Sequence, residues 1–285
     1  MLDVTDIAFL KTTAILTATG LVSGFINTVA GGGSLLTLPV LIFLGFASDV
    51  ANGTNRVAIF FSSLSATYAF RQQGIRGLRY GSILGLCAMV GAIPGAWIAL
   101  KMDDRMFEHV LAAIMFTVAV FIALEPLFRK TYETELQGTG RMVVACLVFF
   151  IIGIYGGFLQ AGVGFLIIVA LSVINKMNLV KSNNIKVIVT FFLTIVALSI
   201  FALSGKIDWK AGLILAVSQS AGGWAGSHWT VKKGEKWVRR VLLLMIIIMA
   251  LKLLGVPFLN PHQHEMRYQK SHFAPCVFSQ CSLCA

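Results

Sequence analysis

The stretch "NTVAGGGSLLTLPVLIFLGF" (residues 27–46) sets three consecutive glycines between two apolar runs. In a helix interior each glycine costs about 1 kcal/mol relative to alanine, so this run interrupts a helix. The interruption matters because the chain around it reads as membrane. Of 285 residues, 57% are hydrophobic and only 12% are charged, too few polar side chains to cover a water-soluble globule.

Apolar segments recur along most of the chain. Residues 12–29, 79–100, 106–124, 142–160 and 184–204 are each long enough to cross the hydrocarbon as a helix. Residues 210–231 and 237–255 read the same way once their end charges snorkel to the interface. The expected class is therefore an all-α, polytopic membrane protein; the short alternating strands of a β-barrel are absent from the pattern. A net charge of +11 raises the question of nucleic acid. The basic residues, however, fall in short clusters at span ends, which is a membrane-orientation pattern and excludes a phosphate-tracking face. Residues 1–11, with Asp3, Asp6 and a single Lys11, lack the pattern of a cleavable leader.

Sliding the chain by 131 residues against itself aligns "AGGGSL" (30–35) with "AGVGFL" (161–166) without a gap. The register holds from 30–124 to 161–255 with 19 identities in 95 positions, against roughly 7 expected by chance, which marks an internal repeat. Each copy holds five apolar segments: 12–29, 34–47, 53–71, 79–100 and 106–124, then 142–160, 165–175, 184–204, 210–231 and 237–255. The expected organisation is a first transmembrane repeat (1–124), a cytoplasmic linker (125–141), a second repeat (142–255) and an atypical, unstructured tail (256–285).

An odd number of segments per copy inverts the second copy. With alternating segment directions, fourteen basic residues fall on one side, including Arg71, Arg76, Arg79, Lys181, Lys232 and, by this count, Lys186. Six fall on the other: Lys11, Arg56, Lys101, Arg105, Lys206 and Lys210. The richer side is expected in the cytoplasm. The second segment of each copy spans 14 and 11 residues, or about 21 and 17 Å at 1.5 Å per residue, shorter than the hydrocarbon. Their glycine ends are thus expected inside the membrane. Paired, short, glycine-interrupted segments at matching places are the sequence mark of a transporter site near the midplane, and a helix start there favours an anion.

The run "GFINTVAGGGSLLTLPVL", followed by "ANGTNR" and the second-copy "GFLQAGVGFL", resembles the TauE/SafE family of membrane transporters, often called sulfite exporters. The similarity covers residues 10–255, nearly all but the tail. It implies a multi-pass carrier of the bacterial or archaeal plasma (inner) membrane for small anions, above all sulfite, organosulfonates and related sulfur compounds. The second copy reads "NNIK" (183–186) where the first reads "GTNR" (53–56), so the two sites are not identical.

The candidate substrate-binding residues follow from the breaks. Gly31, Gly32, Gly33 and Ser34 open one short segment, and Gly162 and Gly164 the other; they admit a ligand to the backbone or let helices pack closely. Asn27, Thr28 and Gln160 flank the breaks and can bond either an anion or backbone groups opened by the interruption. Thr54 and Asn55, with Asn183 and Lys186 in the matching turn, are ligand donors or helix caps. Arg56 and Lys186 attract an entering anion or snorkel to the interface.

No Asp or Glu lies deep in any segment, so the usual carboxylate site for protons or sodium is missing. No cofactor and no metal is expected: the tail's Cys276, Cys281 and Cys284 match only part of an iron–sulfur or zinc spacing. The partners expected are a small anion and the bilayer, with homo-oligomerisation open. The leading reading is a secondary transporter exporting small sulfur-containing anions by alternating access. An anion channel on the same scaffold is the alternative. An enzyme is the least favoured, because the spans hold no reactive pair.

Overall fold

The computed structural model describes residues 4–128 and 138–233. They form α1 (Val4–Ala30), α2 (Ser34–Phe43), α3 (Ser48–Gln72), α4 (Leu78–Lys101), α5 (Asp104–Phe128), α6 (Thr139–Phe158), α7 (Val163–Asn175), α8 (Leu179–Leu203) and α9 (Trp209–Lys233). The expected last segment (237–255), the tail and residues 129–137 of the linker lie outside the described residues.

Among the described residues four helices are long and apolar enough to cross a membrane: α1 over Phe9–Ala30, α4, α6 and α8. α3 falls short of that composition because it buries Asn52, Thr54, Asn55, Arg56, Ser62 and Ser63. It also starts five residues before the expected position. Its polar first turn is anchored: the Ser48 amide donates to Asp104 Oδ1 at 2.8 Å, and Asp49 pairs with Lys206 at 2.8 Å. That hydrogen bond and charge push the Lys206 ammonium above the ordinary lysine range.

Glycines set the helix crossings. Gly20 and Gly24 of α1 and Gly222 and Gly226 of α9 press each helix against the other's backbone, and Gly153 and Gly157 of α6 press on Ala88 and Ala92 of α4 while Gly91 and Gly95 of α4 press on Phe150 and Ile154 of α6. A methyl on Gly24 would stand 2.7 Å from Gln219 Cα, and one on Gly153 2.8 Å from Ala88 Cα. These are four Gly-x3-Gly pairs making two equivalent close crossings. Around them each half lends its fourth helix to the other: α4 packs on α6 and α8, and α9 packs on α1 and α3.

The residue pairs fix helix directions. Down α3 and α9, Val57 meets Gly212, Ser62 meets Gln219 and Gln73 meets Ser227, so these helices run parallel. Gly77, Gly81 and Gly85 of α4 meet Asn184, Ile188 and Phe192 of α8, again parallel. Between α3 and α8 the order reverses. Gly53 lies against Phe201, Phe60 stacks on Phe191 with centroids 5.1 Å apart, and Phe70 clusters with Val187. Phe60 and Phe191 are equivalent in the 131-residue register, so the pseudo-two-fold axis passes between them. The two halves are therefore inverted, as the segment count demanded.

Charge sorts to the two ends. Where α3 finishes and α4, α6 and α8 begin stand Arg71, Arg76, Arg79, Arg141, Lys176 and Lys181. At the opposite end Asp49, Asp103, Asp104, Glu108 and Asp208 mix with Lys101, Arg105, Lys206 and Lys210.

Arg76 and Lys206 sit in corresponding turns of inverted halves. Cysteines placed there singly, in a background with the native cysteines replaced, should label from opposite sides with an impermeant thiol reagent. Labelling from the same side would overturn the inversion.

Candidate functional site

α1 ends at Ala30, and the chain turns through Gly31 at φ 81°. The Gly31 amide still bonds back to Asn27 O at 2.9 Å, and bonding in α2 starts only with Leu35 N–H to Gly32 O at 3.1 Å. The amides of Gly32, Gly33 and Ser34 thus precede the first helical bond. In the second half, α6 ends at Phe158, Leu159 is extended, and Gly162 at φ 75° begins the turn into α7. Phe165 N–H to Gly162 O at 3.0 Å is the corresponding first bond. α2 and α7 span 10 and 13 residues, about 15 and 20 Å. The expected order of lengths is reversed, because Gly45 at φ 92° closes α2 early through Phe46 N–H to Leu41 O.

The two breaks meet. Gly31 lies in backbone contact with Gly164, and a methyl on Gly31 would stand 2.6 Å from Phe165 N. Gly33 packs on Ser23 O and Asn27 Cβ. Gly31, Gly33 and Gly164 therefore build the crossing, and Gly32 is buried beside them without a positive φ. All residues from Thr28 to Pro39 and from Leu159 to Phe165 are buried.

Interrupting α1 and α6 also strands their last carbonyls, and the opposite half supplies the donors. Arg56 of α3, fully buried, donates from Nη1 to Gly156 O at 3.1 Å and from Nη2 to Gly157 O at 2.5 Å, with longer bonds to Phe158 O, Gln160 Oε1 and Asn52 Oδ1. Its guanidinium lies 4.7 Å from the Phe201 ring centroid. Lys186 of α8, also buried, donates from Nζ to Asn27 O at 2.7 Å, Thr28 O at 2.8 Å and Asn183 Oδ1 at 2.6 Å. Each half's cation thus closes the broken helix of the other. The expectation that Arg56 and Lys186 stand at the interface is corrected: in hydrocarbon, stranded carbonyls at the negative end of a helix dipole hold a cation better than the interface does. Without these two, the charge count of fourteen to six becomes thirteen to five.

A second pair completes the clamp. Asn52 Nδ2 donates to Phe158 O at 2.9 Å, and Asn183 Nδ2 to Val29 O at 3.2 Å. The "GTNR"/"NNIK" comparison slipped by one residue and missed Asn52. The gap-free 131 register pairs it identically with Asn183, and that identity was the available signal.

The remaining candidates separate. Gln160 is held in the structure, accepting from Arg56 and donating to Thr194 Oγ1 at 2.7 Å. Thr54 Oγ1 accepts from the Asp208 amide at 2.9 Å, so it caps the α8–α9 turn away from the breaks. Asn27 is half-buried and Ser34 buried. Asn55 is 0% exposed with both amide atoms unpartnered, and Thr28 Oγ1 and Ser63 Oγ are buried and unpartnered as well. Asn55 stands three residues after Asn52, hence on the face of α3 turned to the second break. A buried amide with no partner carries a desolvation penalty that a ligand or water at the site relieves.

The arrangement is electrically one-sided. Buried cations neutralise the carbonyl ends of α1 and α6, while the amide ends of α2 and α7 keep their partial positive charge. Among the described residues no carboxylate lies near them. The space they define suits an anion held by neutral donors.

The model of the family described as "Sulfite exporter TauE/SafE" matches residues 16–253. The chain is 26% identical over 267 residues to "Probable membrane transporter protein ORF9" of Sinorhizobium sp, covering 94% of this chain and 99% of that one. It is 26% identical to a "Probable membrane transporter protein" of Haemophilus influenzae, over 84% and 93% of the two chains. Identity to "Probable membrane transporter protein YfcA" of Escherichia coli (strain K12) is 27%, over 82% and 86%. No solved structure matches the chain.

The clamps make a prediction. Arg56→Met strands the carbonyls of Gly156 and Gly157 and Lys186→Met that of Thr28, at about 1–3 kcal/mol per group. Each variant should therefore melt several degrees below the parent in detergent. Lys210→Gln, an exposed charge, should change stability by less than ~0.5 kcal/mol. A Lys186→Met protein as stable as the parent would refute the clamp.

Proposed function

Because the chain belongs to the sulfite exporter TauE/SafE family, we propose that this membrane transporter is a secondary carrier that exports small sulfur-containing anions, such as sulfite or organosulfonates, by alternating access. The observation that carries the reading is the pairing of opposite helix ends. Buried cations from opposite halves close the carbonyl ends of α1 and α6, leaving the amide ends of α2 and α7 as the positive groups at the junction. The anion is held there by the Gly32, Gly33 and Ser34 amides, those at the start of α7, and Asn55 with Thr28. Arg56 and Lys186 position the broken helices and leave the substrate to these neutral donors.

The basic end, with Arg71, Arg76, Arg79 and Lys181, faces the cytoplasm by the positive-inside rule, in the plasma membrane of a bacterium or archaeon. A cytoplasm-negative potential then drives each exported negative charge outward by ~2.3 kcal/mol per 100 mV. The burial of both breaks favours a carrier over a channel, since a conducting pore keeps its site open to water.

Proteoliposomes loaded with sulfite, sulfate, thiosulfate, a sulfonate or a carboxylate, with pH and voltage imposed separately, test this. Saturable flux of sulfite or a sulfonate, responding to voltage, is the expected outcome. Unitary currents would replace the carrier by a channel, and flux of carboxylates alone would remove the sulfur assignment.

Asn55→Leu deletes one hydrogen bond to a charged ligand, worth about 1.5–3 kcal/mol, so affinity should fall tenfold or more in a protein that still elutes as a single species. Gly32→Val should do the same by filling the approach to the amides. Gly162→Val is a poorer test, because φ 75° strains any β-branched residue there. Unchanged affinity in both informative variants would move the site elsewhere.

A further inference from the structure

Where α3 and α4 diverge over the start of α8, the bundle holds a cavity of about 1020 Å³, many times the volume of a small oxyanion. Arg71, Arg76, Arg79 and Lys181 line it, and no carboxylate among the described residues does. Arg71, Arg76 and Arg79 are exposed. Arginine presents planar donor forks that match phosphate oxygens in pairs. The flank is apolar: Leu64, Leu78 and Ile83 line the same cavity with 47%, 54% and 37% of their surface exposed. Tyr68 joins them at 61% exposure, an amphipathic ring of the kind that sits at headgroup depth.

Orientation by charge does not explain this cluster, because it asks only that basic residues lie on one side and not that they converge on one hollow. The inverted repeat supplies an internal control. In the 131-residue register Tyr68, Arg71, Arg76 and Arg79 correspond to Ser199, Ala202, Ile207 and Lys210. Of the three arginine positions only one keeps a cation, Lys210; Lys206 and Trp209 stand in place of Ile75 and Leu78, and Lys206 is paired with Asp49. The cluster of three arginines around one hollow thus belongs to one half and is not repeated in the other.

We propose that this cavity binds the phosphate headgroup of an anionic phospholipid, with an acyl chain lying along Leu64, Leu78 and Ile83. A basic pocket between helices at one membrane face, bordered by lipid-facing apolar residues, offers a headgroup charge and a chain at once. A free oxyanion would use only the first. The site stands apart from the helix breaks and does not rest on the transport reading.

The test uses the purified full chain in neutral detergent. Dioleoylphosphatidylglycerol and dioleoylphosphatidylcholine are the lipid probes, and inorganic phosphate and sulfite the competitors, read by native mass spectrometry and thermal shift. Phosphatidylglycerol should bind at least tenfold more tightly than phosphatidylcholine. The triple variant Arg71→Gln/Arg76→Gln/Arg79→Gln should lose that preference, and Lys206→Gln/Lys210→Gln at the opposite end should keep it. Should the triple variant not elute as a single species, Arg76→Gln and Arg79→Gln singly should each lower the preference about threefold.

Equal binding of the two lipids by the parent, or a preference that survives the arginine substitutions, would overturn the proposal. Displacement of phosphatidylglycerol by millimolar sulfite or phosphate would also overturn it, identifying a free-anion vestibule instead. Because binding is read directly, failure here leaves the flux result standing, and absent flux leaves the lipid result standing.

Discussion

The constraint on which this structure depends is that a helix stopped inside hydrocarbon strands main-chain groups that water cannot reach. Stopping α1 at Ala30 and α6 at Phe158 creates that problem twice. The solution is reciprocal. α3 sends Arg56 and Asn52 to the end of α6, and α8 sends Lys186 and Asn183 to the end of α1. Neither half can close its own break, so the halves fold as one body. A buried cation is ordinarily expensive; here the carbonyl ends of broken helices offset the cost, since the dipole end and the stranded oxygens meet the charge together.

The same clamps shape the chemistry at the junction. With the negative ends of α1 and α6 occupied, the positive ends of α2 and α7 set the local potential. The proposed anion would there meet amides and side-chain donors that carry no formal charge. Under the proposed carrier reading, such neutral donors favour release as well as capture. The glycine crossings at α1–α9 and α4–α6 bind the same two halves together. Each crossing joins helices of different halves by close backbone packing.

Much of this was legible before any coordinates. The break at "AGGGS", its partner at "AGVGF" and the 131-residue register are sequence properties, because glycine frequency and hydropathy are read locally. The register also implied the pairing of Asn52 with Asn183, although the eye is drawn to the charged Arg56 and Lys186, which stand one position out of register. Lengths of the short helices were less accessible. Gly45 ends α2 by a turn whose hydrogen bonds depend on the backbone of Leu41 and Ile42, and no periodicity displays that.

By itself the sequence determined the class, the repeat, the inversion and the location of the breaks, since each follows from segment length, parity and composition. Only the tertiary structure decided what the buried polar residues do. Arg56 and Lys186 looked like interface charges because a cation's place depends on which acceptors are near. Their acceptors lie 100 to 159 residues away along the chain. The same distance in sequence hid the contact between Gly31 and Gly164, and with it the part these glycines play in bringing the two breaks together.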